Sequence, residues 1–376
     1  MVFPREFMDH LRKATTEGTS NYKKRFSGVA AEGHFRQSQG LWMSSIGLGS
    51  YLGGVDEWTD AAYRSAVKYA VELGCNVFDT AANYRCQRSE RNIGDALADL
   101  FAQGAAARDE IVISTKGGYI PFDGNPPSSR QEMIAYIEET FIKPGVCKWD
   151  DFVQSSHCMT PGYIAHQLDQ SLRNLKLECV DVYYLHNPES QLAEVSRDEF
   201  YKRLRAAFEF LEIAVADGKI SMYGTATWNG YRAPLDNPEA LSLERVVETA
   251  REVAGDRHHF KVVQLPFNLA MAEAFTDANQ TLDGEDVTFL KAARFLVTVM
   301  ASASILQSRL SAGLSPIIGA SLKGLRTDAQ RAIQFTRSAP EIDVALVGMS
   351  DIAHVKENLE MVKIPPATED EYLSLF

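Results

Sequence analysis

No apolar run in the 376-residue chain approaches the ~20 residues needed to cross a bilayer, so the sequence offers no membrane span. Cysteine is scarce. Cys75, Cys86, Cys147, Cys158 and Cys179 are odd in number and never form a C-x-x-C pair, which argues against a disulfide framework and against a zinc site. Basic residues are outnumbered 38 to 50, giving a formal charge of -12. Nucleic acid is therefore not an expected partner, because phosphate backbones are bound by clustered Lys and Arg. A phosphate-bearing small ligand needs only a local basic pocket or a helix N-terminus and stays open. The N-terminus, Met1-Val2-Phe3-Pro4-Arg5-Glu6, lacks the apolar stretch of a secretory signal, and a cytoplasmic location is expected.

Apolar residues are not scarce. At 45% they suffice for a real core and exclude disorder over most of the length, whether as one large unit or two ordinary ones. Eight short strand-like runs recur: Leu41 to Ile46, Asn76 to Asp79, Ile111 to Thr115, Val180 to Leu185, Ser221 to Gly224, Lys261 to Leu265, Leu296 to Ala301 and Val344 to Val347. Between them lie segments of helical period. Thr160 and Pro161 open one, with Ile164, Leu168, Leu172 and Leu175 along a single face. Others run over Ala61 to Leu73, Glu90 to Phe101 and Arg197 to Ala216. Such alternation predicts a parallel sheet covered by helices, and eight repeats favour an α/β fold of the closed (β/α)8 TIM-barrel type.

The expected division is an N-terminal extension over 1-40, the barrel over 41-364 and a C-terminal tail over 365-376. The polar extension is expected to wrap the barrel or stay mobile. A long insertion, Gly117 to Ser156, follows the third strand and holds a helical piece from Ser129 to Phe141. Connections of this kind sit at the C-terminal mouth of a barrel, so it is expected to cover the pocket. Trp58, Tyr119, Trp149, Trp228 and Tyr231 are candidates for lining that mouth, and His157 reads as structural.

The stretch Gly47-Leu48-Gly49-Ser50-Tyr51-Leu52-Gly53 fails as a dinucleotide fingerprint, because Leu52 stands where G-x-G-x-x-G requires Gly; it reads as a tight turn. The informative residues close strands. Asp79 ends the second, with Tyr84 five residues on; Lys116 ends the third and His186 the fourth. A parallel barrel projects all of them at one rim. Singly each has a bland reading: helix cap, solvated charge, hydrogen-bonded core histidine. A lysine ammonium beside a tyrosine hydroxyl is expected to lower its pKa from about 10 and fit it for proton transfer.

Phe78-Asp79-Thr80-Ala81-Ala82-Asn83-Tyr84 with Ser89-Glu90 and Ile93-Gly94, then Ser114-Thr115-Lys116, Asp181-Val182-Tyr183-Tyr184-Leu185-His186 and Gly218-Lys219-Ile220, together resemble the aldo-keto reductase family, in the family's order over about Leu41 to Val362. The resemblance implies a barrel that binds nicotinamide cofactor without a Rossmann fold and a catalytic tetrad of Asp79, Tyr84, Lys116 and His186. It implies cofactor contacts at Gln264, Thr227, Gly348, Met349, Ser350, His354, Glu357 and Asn358. Three departures stand out: Ala226-Thr227 where the family usually places Ser-Asn, small residues at Ala301 to Ser304 where many relatives stack an aromatic ring, and His354 where NADPH-specific relatives often carry Arg. NADP(H) is expected on the family tendency, with NAD(H) second. The resemblance implies an NAD(P)-dependent oxidoreductase reducing an aldehyde or ketone, or oxidising the alcohol. A non-catalytic cofactor-binding regulatory or sensing subunit on the same barrel is the alternative. A barrel enzyme of unrelated chemistry lacks a convincing carboxylate and histidine ligand cluster.

Overall fold

The computed structural model describes residues 12–322 and 324–376, so part of the predicted extension, 1-11, lies outside the described residues. The strands in chain order are β1 Phe35–Ser38, β2 Leu41–Ser44, β3 Ile46–Gly49, β4 Val77–Asp79, β5 Val112–Gly117, β6 Val180–His186, β7 Ile220–Ala226, β8 Phe260–Pro266, β9 Gln280–Leu282, β10 Glu285–Val287, β11 Thr298–Ser302 and β12 Val344–Gly348. Eight of them close a parallel barrel in the order β3 to β8, then β11, then β12, which pairs back onto β3. The predicted fold class is the observed one.

The first predicted strand needs correcting. Leu41 to Ile46 straddles two strands: β2 pairs with β1 in an antiparallel hairpin, and the barrel begins at Ile46. Gly47 to Gly49 therefore lie in a barrel strand and not in a turn. The hairpin closes the bottom of the barrel. Leu41 and Met43, two apart and so on one face of β2, join Ala14 in the same cluster as the inward residues Val77, Val112, Val182, Tyr184, Val262, Met300 and Val344.

From residue 12 the extension wraps the barrel. The Ala14 amide donates to Asp181 Oδ1 at 2.7 Å, and Asp181 Oδ2 is paired with Arg108 at 2.9 Å, both side chains buried. The Thr16–Arg25 helix carries Tyr22, whose hydroxyl donates to the carbonyls of Val71 and Cys75. The 365–376 tail packs as well, through the Glu369–Leu373 helix and fully buried Tyr372.

The Pro161–Leu175 helix illustrates the outer layer. Pro161 sits at the first helical position, where its missing N–H costs nothing, and the Thr160 hydroxyl makes no capping bond. Tyr163, Ile164, Leu168 and Leu175 are buried, and Lys176 in the left-handed conformation ends the helix. Burial of each large side chain stabilises by about 1.5–3 kcal/mol, and Leu168→Ala would leave a cavity costing about 2–5 kcal/mol.

The insertion forms a helix at Arg130–Ile137 and a wider turn at Glu138–Ile142. It packs beside the barrel through Ile137, Phe141 and Phe152. The expectation that it covers the pocket is not met: within it, only Tyr119 lines the central cavity.

Candidate active site

Parallel pairing places the ends of neighbouring strands side by side: Gly49 opposite Asp79, Asp79 opposite Ser114, Lys116 opposite Tyr184, His186 opposite Ala226, and Ala226 opposite Gln264. The strand-end residues are thus carried to one rim. Asp79 Oδ2 accepts from Lys116 Nζ at 2.5 Å, while Oδ1 accepts from Ser114 Oγ at 2.7 Å and Gln264 Nε2 at 2.8 Å. Lys116 also donates to the Thr80 carbonyl at 2.8 Å, and its side chain is 1% exposed. A buried ion pair is tolerable only when its remaining donors and acceptors are satisfied, as these are. Burial alone would lower the lysine pKa; the Asp79 carboxylate and the neighbouring phenol outweigh it and hold the ammonium above its ordinary value.

Tyr84 follows in the short loop after β4, its ring centroid 4.8 Å from Lys116 Nζ. It lies edge-on between Tyr51 at 5.0 Å and His186 at 5.8 Å. The ring also borders the cavity and is only partly buried. Here the sequence reading is corrected: burial raises the phenol above 10, and the lowering by Lys116, through charge and hydrogen bond, does not overcome it. His186 is held well below its ordinary value, first by burial and then by Lys116 and His157, so its imidazole is neutral. Its Nδ1 is buried without a hydrogen-bond partner. His157 is structural, as expected: Nε2 lies 2.7 Å from the His186 carbonyl and Nδ1 2.8 Å from Gln191.

Above these groups opens a cavity of about 460 Å³ whose wall includes Tyr51, Asn83, Tyr84, Tyr119, His186 and Trp228. Trp58 is 77% exposed, Trp149 packs on Phe152, and Tyr231 is fully buried against Phe289, so these three aromatics do not line it. The side of the wall proposed for cofactor carries Thr227, Gln264, Ser302 to Ile305, Gln307 and Gly348. Thr227 Oγ1 is buried and unpartnered, an unmet hydrogen-bonding group in the cavity wall. A Cβ at Gly348 would meet only Leu52 Cδ1 at 3.6 Å, and at Gly49 only backbone at 3.8 Å or beyond. Protein packing therefore does not demand glycine at either place, and a flat surface there leaves room for a ligand.

The family model for the aldo/keto reductase family matches residues 45–233, half of the chain. The chain belongs to that family.

Among its relatives, a Schizosaccharomyces pombe protein described as a candidate voltage-gated potassium channel subunit beta is 24% identical over 348 residues, 88% of this chain and 87% of that one. The L-glyceraldehyde 3-phosphate reductase of Escherichia coli is 31% identical over 144 residues, 38% of this chain and 32% of that protein's length. The Klebsiella pneumoniae aldo/keto reductase solved in complex with NADP and acetate superposes with a TM-score of 0.58 at 20% identity, covering 92% and 94% of the two chains. At that identity the likeness establishes the fold.

Against this family frame, the cofactor residues named from sequence divide. Gln264, Thr227 and Gly348 line the cavity, although Gln264 already donates to Asp79. Met349 is buried in the hydrophobic core, which leaves only its backbone for a ligand. Ser350, His354, Glu357 and Asn358 lie beyond the cavity wall, on the turn after β12 and the Ile352–Leu359 helix. Asp351 caps that helix, its carboxylate accepting from the Ala353 amide at 2.6 Å. The start of that helix thus already holds a carboxylate.

Sequence reasoning missed Glu189. It sits in the Pro188–Ala193 turn after β6, and Oε1 accepts from the amides of Trp228, Asn229 and Gly230 at 2.6, 3.1 and 3.3 Å. It anchors the loop that carries Thr227 and Trp228. The signal was its place directly after His186-Asn187-Pro188. Asn187 and Gln307, also in the wall, carried none.

Proposed function

We propose that this protein reduces an aldehyde or ketone, sugar-derived carbonyls included, with NAD(P)H, or oxidises the corresponding alcohol, with Tyr84 as general acid and base. The observation that carries the reading is the buried Asp79–Lys116 pair set against Tyr84 and His186 at the floor of one cavity. Nicotinamide cofactor, when bound, supplies the hydride. The unpartnered Thr227 hydroxyl and the flat glycine wall suit its nicotinamide end.

The rest falls to the chain. Reduction builds negative charge on the carbonyl oxygen, and the Tyr84 hydroxyl delivers the proton there. Lys116 stabilises the phenolate left behind, and Asp79 keeps the ammonium charged and aimed. Neutral His186 donates a ring N–H to the same oxygen, orienting it. NADP(H) is the expected partner, in keeping with the Klebsiella relative described with NADP, and NAD(H) is second. Tighter binding of NADH than of NADPH, followed by nicotinamide fluorescence, would overturn that order.

The Tyr84→Phe variant should bind cofactor and lose carbonyl reduction. Activity within a few fold of wild type would end the assignment. The channel-subunit description of the S. pombe relative favours one second reading, a cofactor-binding sensing subunit. Silence across varied carbonyls and alcohols, with both cofactors and in both directions, would support it.

A further inference from the structure

Three consecutive residues directly after Tyr84 adopt the left-handed conformation without being glycine: Arg85, Cys86 and Gln87, at φ 49°, 54° and 68°. Single left-handed residues are common at turns, but a run of three side-chain-bearing ones is strained and persists only where the surroundings hold it. The surroundings here are specific. Arg85, its side chain 2% exposed, pairs through Nη2 with Asp60 Oδ1 at 2.6 Å and donates from Nε to the Gly54 carbonyl at 2.8 Å. Asp60 Oδ1 also accepts from Asn92 at 2.7 Å, and Oδ2 accepts from Arg88 at 2.6 Å. One carboxylate on the Glu57–Glu72 helix therefore grips both ends of the turn.

The insertion grips it from the other side. The Gly124 amide donates to the Cys86 carbonyl at 3.0 Å, Arg88 Nε to the Gly124 carbonyl at 2.7 Å, and Gln87 Nε2 to the Pro121 carbonyl at 3.0 Å.

We propose that Arg85, clamped by Asp60, is a positioning residue for Tyr84, and that the insertion braces the same turn. The strained turn fixes where the chain leaves Tyr84, and so fixes the hydroxyl against Lys116. This inference rests on the proposed catalytic role of Tyr84. A misplacement of about 1 Å at a reacting group costs on the order of 100-fold in rate, so loosening the turn acts on kcat and spares binding.

The test is Arg85→Gly, since glycine adopts the same φ without strain and removes only the clamp. With a carbonyl that the wild type turns over, kcat should fall at least ~10-fold while the carbonyl KM and the cofactor Kd stay within about threefold. Arg85→Lys, which keeps the charge facing Asp60, should recover most of the loss. A kcat within twofold of wild type for Arg85→Gly overturns the proposal. So does a parallel loss of kcat, KM and cofactor affinity, which marks general loosening. Should Arg85→Gly fail to fold, Gln87→Ala removes one brace and should give the same split at smaller size; its absence refutes the inference. Tyr84→Phe is run alongside. If it keeps turnover, the catalytic reading itself falls; if it is silent while Arg85→Gly is unchanged, only the positioning role falls.

Discussion

Glu189→Gln should stabilise the protein at pH 8 relative to pH 5. Burial raises the Glu189 carboxyl from 4.5 to about 7, although the backbone amides of Trp228, Asn229 and Gly230 and its own favour its ionised form. Its second oxygen, Oε2, is buried and unpartnered, which leaves the anion half-satisfied. Because the folded pKa is the higher one, the folded chain holds a proton that the unfolded chain releases between pH 4.5 and 7. This contribution to stability is complete below 4.5 and is lost as pH rises through about 7. At about 1.4 kcal/mol per pH unit, the change between pH 5 and 8 is roughly 2.5 kcal/mol. Glutamine keeps the acceptor for the amides and cannot ionise, so every other titration cancels between the two proteins. With ~2.1 cal/mol/K per residue over the chain, the Tm difference should widen by about 3 °C from pH 5 to pH 8. Thermal and urea unfolding of both proteins at the two pH values measures it. Stabilities that run parallel in pH would show that the carboxyl is ionised throughout, and would refute the reasoning.

Lys116→Met should leave Asp79 buried without its cation, lowering kcat by ~10²–10⁴-fold and stability by about 3–5 kcal/mol, read by steady-state kinetics and urea unfolding. Thr227→Val keeps the shape and removes the unpartnered hydroxyl; cofactor affinity should weaken about 2–10-fold by fluorescence titration, and unchanged affinity would remove Thr227 from the site. Tyr22→Phe deprives the Val71 and Cys75 carbonyls of their buried donor and should cost about 1–3 kcal/mol in urea unfolding with no effect on kcat.

The barrel was legible because each strand is a short apolar run between helices, a signal set by burial on both faces. It misled at Leu41, where β2 is as apolar as a barrel strand yet belongs to the hairpin beneath. The β9–β10 hairpin escaped notice although Asp283-Gly284 marks its turn, because its strands are three residues each. Asp79, Lys116 and His186 could be read because a parallel barrel sends every strand end to one rim. Asp60 and Arg85 could not, since they act through a contact between a helix and a turn distant in sequence that no local pattern encodes; Glu189 showed its place after His186-Asn187-Pro188, but not the amides of the Trp228 loop that it holds. The raised Tyr84 pKa was hidden for the same reason: how far burial opposes the ammonium depends on atoms from several strands.

Barrel closure also sets an order of events during synthesis. β3 at residues 46–49 pairs with β12 at residues 344–348, which is made about 300 residues later. The segment around Ala14 and the β1–β2 hairpin emerges first of the described chain, yet the apolar cluster that its inner face joins includes Val344. Until then Leu41 and Met43 have no complete floor to fill, and they stay exposed while the intervening barrel strands are translated. Such long-range closure slows folding and leaves apolar surface open to wrong partners. A nascent chain stalled short of residue 344 should therefore remain a chaperone client, however well its central strands have paired.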